Sequence, residues 1–258
     1  MKKACLDLRV SSIEKQNEKY FLLKLTHQLP LPQMVPGQFV EVRVDHSPTT
    51  FLRRPISINN YVAEANELWL LVARVGDGTR QLGTLREGDV VNCLLPLGNG
   101  FTMPAHTDSR VLLVGGGVGV APLLYFGKKI REAGARPTFL LGARTQADLL
   151  QLELFEELGD VHVTTEDGSY GEKGFVTNHS VLEHVRFDQI SCCGPKPMMM
   201  AVARYAAKND IFCEVSLENM MACGLGACLC CVEKTVSGNL CVCKEGPVFN
   251  IKKLLWQA

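Results

Sequence analysis

Residues 111–122 read Val-Leu-Leu-Val-Gly-Gly-Gly-Val-Gly-Val-Ala-Pro, an apolar run that passes directly into a glycine-rich turn. The uncharged apolar residues predict a buried strand, and Pro122 suits the first turn of a helix. Glycines between strand and helix let the backbone approach a pyrophosphate, which the helix N-terminus then faces. Such a turn can also serve tight packing alone. The pattern fits G-x-G-x-x-P from Gly117, because Val120 breaks the G-x-G-x-x-G fingerprint and no Lys follows as in a P-loop.

The region around this turn alternates strands with amphipathic helices. Strands are predicted at 110–114, 136–141, 161–164 and 188–192, and helices at 121–133, 149–158 and 196–208. This alternation is typical of a doubly wound parallel sheet, in which ligands bind at the carboxyl ends of the strands. Cys193 and Gly194 fall at such an end, where Cys193 is either a ligand contact or a buried thiol. The second strand ends at Arg144, and no acidic residue stands where NAD sites have one for the ribose. The residues alone therefore leave open whether the cofactor is NAD or NADP.

The preceding region, residues 4 to about 102, has short alternating apolar stretches broken by Pro and Gly, which predict a small antiparallel β-barrel. Within it, Arg54-Pro55-Ile56-Ser57 offers a guanidinium for a pyrophosphate and a hydroxyl for a flavin, although a solvated strand edge has the same composition. Gly76-Asp77-Gly78-Thr79 adds exposed amides and a hydroxyl at a predicted helix start, which suit an anion. The two segments together favour a flavin diphosphate.

The last region contains six of the chain's eleven cysteines, between positions 223 and 243. Cys223-x4-Cys228-x2-Cys231-x11-Cys243 is the ligand spacing of a plant-ferredoxin-type two-iron two-sulfur cluster. Small residues between Cys223 and Cys228 leave room for backbone amides to reach the sulfurs. Cys241 is the rival for the fourth ligand, and Cys230 is a spare thiol. A zinc site and a disulfide knot are the alternative interpretations.

Composition limits the other classes of function. The chain has 258 residues, 47% of them hydrophobic and 21% charged, with a net charge of zero, which predicts two or three globular domains. No Lys/Arg run exceeds two residues, so we expect no nucleic-acid partner. We also expect neither a signal peptide nor a membrane span, and therefore a cytoplasmic protein with reduced thiols. The six histidines are scattered, and we expect each to be structural.

The ordered motifs carry a family resemblance that spans essentially the whole chain. Arg54 to Ser57, Gly78-Thr79, the glycine turn and Cys193-Gly194-Pro195 resemble the ferredoxin reductase family, and the cysteine segment narrows this to the electron-transfer subunits of dihydroorotate dehydrogenase B. The resemblance implies an FAD-binding barrel at 1–103, an NAD-binding α/β domain at 104–212 and a cluster-binding segment at 213–258.

The resemblance also implies roles for residues and a partner. The predicted FAD contacts are Arg54, Pro55, Ile56, Ser57, Val72, Ala73, Arg74, Gly78 and Thr79. The predicted NAD contacts are Gly117, Gly119 and Gly194, with Cys193 as the catalytic residue. The predicted cluster ligands are Cys223, Cys228, Cys231 and Cys243. Electrons would pass from an FMN-containing catalytic subunit, in a heterotetramer of two copies of each, through the cluster and FAD to NAD+ in pyrimidine biosynthesis. An apolar rim of Leu225, Leu229 and Phe249 would dock that partner.

Two alternatives stay open at this point. One is the small subunit of a sulfide dehydrogenase or a ferredoxin:NADP oxidoreductase, which shares the architecture, although Cys223 stands where we expect a carboxylate in that group. The other is a redox-sensing iron-sulfur module without turnover. Dihydroorotate activity with a catalytic subunit, and reduction of a bound flavin by NADH, would separate them from the main hypothesis.

Overall fold

The computed structural model describes residues 3–256. Its first part is a closed antiparallel barrel of six strands in the order β1-β2-β5-β4-β3-β6. These strands are β1 (Ala4–Lys15), β2 (Tyr20–Thr26), β3 (Phe39–Val42), β4 (Arg54–Val62), β5 (Glu67–Ala73) and β6 (Val90–Leu97). Alternate residues such as Val40 and Val42 fill the barrel core. A short helix, α1 (Asp77–Leu82), follows β5.

The second part is a sheet with helices packed on it. Its strands are β7 (Val111–Gly116), β8 (Thr138–Ala143), β9 (Asp160–Thr165), β10 (Glu172–Lys173), β11 (Gln189–Cys193) and β12 (Phe212–Ser216), and its helices are α2 (Ala121–Glu132), α3 (Leu152–Leu158), α4 (Val181–His184) and α5 (Lys196–Lys208). The strands run parallel in the order β10-β9-β8-β7-β11-β12. Chain order changes direction between β7 and β11, which is the point where doubly wound sheets bind ligands.

The cysteine segment is continuous with both other parts. It contains β13 (Val232–Thr235), β14 (Gly238–Cys241), α6 (Val242–Glu245) and β15 (Val248–Asn250). Strand β15 pairs antiparallel with β12 and so completes the sheet as its seventh strand. Cys231 and Cys243 belong to one apolar core with Phe39 and Leu97 of the barrel. The predicted architecture is confirmed, but the sequence did not indicate that the last segment adds a strand to the sheet.

Several element boundaries differ from the predictions. The helix predicted at 149–158 begins only at Leu152, because Gln151 has a left-handed φ of +54° and its side-chain amide is hydrogen-bonded to Asn59 of the barrel. The strand predicted at 188–192 is shifted by one residue and includes Cys193. The predicted outer limits at residues 1 and 258 lie outside the described residues. Within 3–256, every helix is too short or too polar to cross a bilayer.

Candidate functional site

A cavity of about 730 Å³, here called the sheet-edge cavity, opens at the carboxyl ends of β7, β8, β9 and β11. The glycine turn forms one wall, and Gly117 there has a left-handed φ of +56°. A side chain at Gly117 would point into open space, since the nearest atom to a Cβ would be the Tyr20 hydroxyl oxygen at 3.9 Å. The turn therefore presents bare backbone to the cavity, as close approach of a pyrophosphate requires.

All three glycines predicted to contact the dinucleotide, Gly117, Gly119 and Gly194, line this cavity. Gly119 also allows tight packing, because a Cβ there would lie 2.5 Å from Cα of Gly194. Both interpretations of the glycine turn, ligand approach and packing, thus apply to different residues of one turn.

Cys193, the predicted catalytic residue, has no exposed surface and lines neither of the cavities described here. Its Sγ lies 4.0 Å from Oε1 of Glu218, and burial raises the pKa of this thiol well above its usual value. The sulfur therefore stays protonated near neutral pH and cannot act as a thiolate. A catalytic role for Cys193 stays a prediction, limited to what a neutral S–H group can do.

Charged residues also line the sheet-edge cavity. Arg144 follows β8, Asp148 lies between β8 and α3, and Glu166 follows β9. Lys19 of the barrel reaches across to Asp148 with an Nζ to Oδ1 distance of 2.6 Å. The barrel thus supplies Lys19 and Tyr20 to this cavity, which sequence reasoning missed because nothing in the β1–β2 turn has the pattern of a nucleotide motif.

A second cavity of about 280 Å³, the barrel-edge cavity, lies between the barrel and the cysteine segment. Six of the residues predicted to bind FAD line it, namely Arg54, Pro55, Ile56, Ser57, Ala73 and Thr79. Phe39 of β3 and Met221 of the cysteine segment also line it. The predicted flavin segments are therefore brought together around one space.

The other three predicted FAD contacts lie outside the cavity lining. Val72 is buried in the barrel core, and the Arg74 guanidinium stacks 5.1 Å from the centroid of the Phe21 ring. Gly78 packs under Arg54, since a Cβ there would lie 2.8 Å from the Arg54 Nε. A flavin could meet the backbone of these three residues, whereas the side chains of Val72 and Arg74 pack within the scaffold.

Glu218 lines both cavities and was missed by sequence reasoning. It lies two residues after β12, where the two cavities meet. Its surface is open to the cavities, but the protein around it still raises the pKa of its carboxyl group through burial. An acidic residue just beyond a late parallel strand was the available signal. The shared lining shows that the two cavities adjoin.

The four predicted cluster ligands approach one another in two pairs, Cys223 with Cys228 and Cys231 with Cys243, and in each pair one thiol shifts the pKa of the other. The Cys243 N–H also donates to Cys231 Sγ at 3.4 Å. Within 3–256, no three potential ligands are close enough together to share a single metal ion. Two thiol pairs suit two iron atoms with two thiolates each, so the donor set fits a two-iron cluster.

Backbone amides surround these sulfurs, as the small residues of the loop predicted. The Leu225 N–H donates to Cys223 Sγ at 3.3 Å, and the Gly226 N–H donates to Cys243 Sγ at 3.1 Å. The first of these bonds is the largest of the effects that lower the pKa of Cys223 to about 6, which favours the ligating thiolate. Burial instead raises the pKa of Cys243 to about 12. Hydrogen bonds from amides to sulfur are among the factors that set cluster potentials.

Cys241 and Cys230 lie outside the two thiol pairs. Cys241 Sγ is directed at the Gly226 carbonyl oxygen, 3.8 Å away, and Cys230 is exposed. This arrangement supports Cys243 over Cys241 as fourth ligand, although the ligand set stays a prediction.

Asn99 of the barrel holds the short helix that carries Cys243. Its Nδ2 donates to the carbonyl oxygens of Lys244 and Glu245 at 3.0 and 3.1 Å, and its backbone N–H donates to that of Gly246 at 2.6 Å. These carbonyls are at the C-terminal end of α6, where intrahelical partners are missing. Asn99 therefore fixes α6 against the barrel.

The predicted docking rim is only partly present. Leu225 and Leu229 are 46% and 64% exposed, but Phe249 is only 3% exposed. Including Phe249 was wrong, because β15 pairs with β12 and turns this ring into the core.

Comparisons with known proteins agree with this site. The family model for the iron-sulfur cluster binding domain of dihydroorotate dehydrogenase B matches residues 218–255, and the oxidoreductase NAD-binding domain matches residues 113–204. The structure of an NADH-dependent reduced ferredoxin-NADP oxidoreductase, studied for flavin-based electron bifurcation, has a TM-score of 0.87 and 30% identity and covers 98% of this chain and 91% of its own. These matches bear out the predicted cofactor set of NAD, FAD and a two-iron two-sulfur cluster.

Two curated relatives that cover most of this chain share one name. The dihydroorotate dehydrogenase B (NAD(+)) electron transfer subunit of Shouchella clausii is 41% identical over 252 residues, covering 95% of this chain and 96% of the relative. The subunit of Caldanaerobacter subterraneus subsp. tengcongensis is 42% identical over 228 residues, covering 86% and 87%. The predicted oxidoreductase function is confirmed and the alternatives are not favoured: the chain belongs to the family of electron transfer subunits of dihydroorotate dehydrogenase B (NAD(+)).

Proposed function

We propose that this chain carries electrons between an FMN-containing catalytic subunit that oxidises dihydroorotate to orotate and the NAD+ that accepts them, in the pyrimidine pathway. The observation that carries the proposal is the contiguity of the three sites. Glu218 lines both cavities, and Met221, which lines the barrel-edge cavity, lies two residues before Cys223. A nicotinamide, a flavin and a cluster held by these residues would be neighbours in that order.

The cofactors divide the chemistry, since a cluster exchanges single electrons, nicotinamide accepts a hydride and a flavin can do both. The residues of this chain bind and orient them. Arg54 and the amides at the start of α1 would meet the flavin diphosphate, and Ser57, opposite Phe39 in the strand pair, would face the flavin. Gly117 would let the dinucleotide pyrophosphate reach the backbone.

Glu218 and Cys193 adjoin the place where nicotinamide and flavin would meet. Burial raises the pKa values of both groups, which opposes ionisation of either one beside the nicotinamide. We propose that Glu218, which lines both cavities, orients the nicotinamide, and that the buried Cys193 acts through its contact with Glu218 rather than as a nucleophile.

The catalytic subunit would dock on the cluster loop. Leu225 and Leu229 project from the loop beside Cys223 and Cys228, and exposed apolar side chains there fit a partner that delivers electrons to the cluster. The heterotetramer of two copies of each subunit and the cytoplasmic location belong to the same proposal, and we expect neither a nucleic-acid nor a membrane partner.

An anaerobic titration with NADH tests the relay within this chain, with flavin and iron quantified on the same sample. We expect about one FAD and two irons per chain and bleaching of both absorption bands. Dihydroorotate-dependent NADH formation on adding the catalytic subunit then tests the partner. Flavin bleaching without iron would contradict the cluster assignment, and NADH oxidation that requires a ferredoxin instead would favour the ferredoxin:NADP oxidoreductase alternative.

A further inference from the structure

Glu41 is a carboxylate with no exposed surface on the barrel strand β3. Its neighbours Val40 and Val42 fill the barrel core, so Glu41 points outward together with Phe39. Among the described residues, neither oxygen of the Glu41 carboxylate has a hydrogen-bond partner. Burying a carboxylate without partners opposes folding. Fold stability therefore gives no reason for a glutamate at this position.

The Glu41 side chain lies directly beneath the cluster loop. A Cβ on Gly224 would lie 2.8 Å from Cγ of Glu41 and 3.4 Å from its Oε1. Gly224 immediately follows Cys223, and its left-handed φ of +65° lets the loop come this close. Phe39, two residues away on the same face of β3, lines the barrel-edge cavity. Glu41 is thus located between the cluster loop and the proposed flavin site.

The charged groups that face Glu41 come from β4 and from the loop. Arg53 donates from Nη1 to the Glu41 backbone oxygen at 3.3 Å, while its Nη2 is bound to Asn92. Burial raises the pKa of the Glu41 carboxyl to about 7, the positive charges of Arg53 and Arg54 oppose this rise, and Cys223 adds to it. Cys223 and Glu41 therefore interact electrostatically through protein. Such interactions are stronger through protein than through bulk water.

We propose that Glu41 is a positioning residue that supports the cluster loop at Gly224 and lowers the reduction potential of the cluster held there. The inference rests on the proposed cluster ligation. Negative charge and hydrogen bonding around an iron-sulfur cluster set its potential, and a nearby carboxylate disfavours an added electron. The electron enters the cluster and leaves to the flavin while Glu41 itself is neither oxidised nor reduced. A lower cluster potential makes the transfer from cluster to flavin more favourable.

The test is a potentiometric titration of the full-length, iron-loaded and FAD-loaded chain, followed by electron paramagnetic resonance of the reduced cluster. Glu41→Gln keeps the shape and removes the charge, and Glu41→Met is a second neutral variant. Glu64→Gln makes the same charge change in an exposed turn of the barrel and is the control. We expect the midpoint potential to shift upward in both Glu41 variants and to stay at the wild-type value in Glu64→Gln.

Iron-loaded Glu41→Gln and Glu41→Met with wild-type potentials would overturn the inference. If neither neutral variant assembles a cluster while FAD is retained, Glu41→Asp decides: a cluster in that variant shows that the charge is required, and no cluster there overturns the argument from charge. Failure of the proposed function is distinguishable, because it would appear as absence of iron from the wild-type chain.

Discussion

The glycine turn at 115–122 and the cluster loop at 223–231 are both rich in glycine, but for different physical reasons. In the turn, Gly119 avoids backbone, since a Cβ there would lie 2.5 Å from Cα of Gly194. In the loop, a Cβ on Gly224 would lie 2.8 Å from Cγ of Glu41, and a Cβ on Gly226 would lie 2.9 Å from Cδ of Lys244. These two glycines therefore avoid collisions with side chains. The turn is fixed by the regular sheet on which it lies, whereas the loop depends on distant residues and on its metal. The two regions should therefore respond differently to substitution.

The largest effect is expected from removing a ligand in the loop. Cys228→Ala should lose essentially all iron and acid-labile sulfide and loosen the C-terminal segment, because a two-iron cluster needs four thiolates. FAD should remain, since its proposed contacts lie mainly on the barrel. Cys230→Ala is the matched control and should keep its iron. Undiminished iron and sulfide in Cys228→Ala would contradict the ligand set.

A methyl group in the glycine turn should have the next largest effect. Gly119→Ala forces a side chain onto the Gly194 backbone, and we expect a loss of about 1–3 kcal/mol in the free energy of unfolding, together with weaker NADH binding. Gly117→Ala faces the open cavity and should cost only about 1–2 kcal/mol from its left-handed backbone. Urea unfolding and NADH titration measure both. Equal destabilisation by the two substitutions would show that packing does not distinguish them.

Asn99→Ala tests how far the loop depends on the barrel. It removes two side-chain hydrogen bonds to α6, each worth about 0.5–1.5 kcal/mol, and we expect faster loss of iron to a chelator than from wild type. Asn239→Ala, at an exposed position of β14, is the control and should release iron at the wild-type rate. An unchanged rate in Asn99→Ala would mean that α6 is held by the apolar core alone.

The smallest effect on the chain itself is expected at Leu229, which is exposed and has a left-handed φ of +59°. Leu229→Asp should leave iron content and stability nearly unchanged, because Asp tolerates this backbone conformation better than Leu. Its affinity for the catalytic subunit should fall at least about tenfold, equivalent to 1.4 kcal/mol. Surface plasmon resonance with the iron-loaded chain measures this. Complex formation with unchanged affinity would rule out Leu229 as part of the docking surface.

The same contrast explains what the sequence could predict. Helix α5 was predicted at 196–208 and occurs there, because its start and apolar periodicity are local signals. The start of α3 was misplaced because Gln151 bonds to Asn59, 92 residues away in sequence. Cysteine spacing indicated the cluster, whereas Tyr20 and Glu41 carry no local pattern and are recognisable only when distant segments meet. Phe249 was misjudged because the pairing of β15 with β12 is also a long-range contact.

The pairing of β15 with β12 has a consequence for the order of events during synthesis. Residues 248–250 complete a sheet whose first strand begins at Val111. N-terminal domains generally fold first as a chain emerges from the ribosome, so the barrel can form before this sheet. The sheet cannot be completed until β15 has been made, and β15 follows Cys223 to Cys243 in the chain. All four predicted cluster ligands are therefore already present when the sheet closes, and a product truncated before Cys223 would lack both the last strand and the cluster ligands.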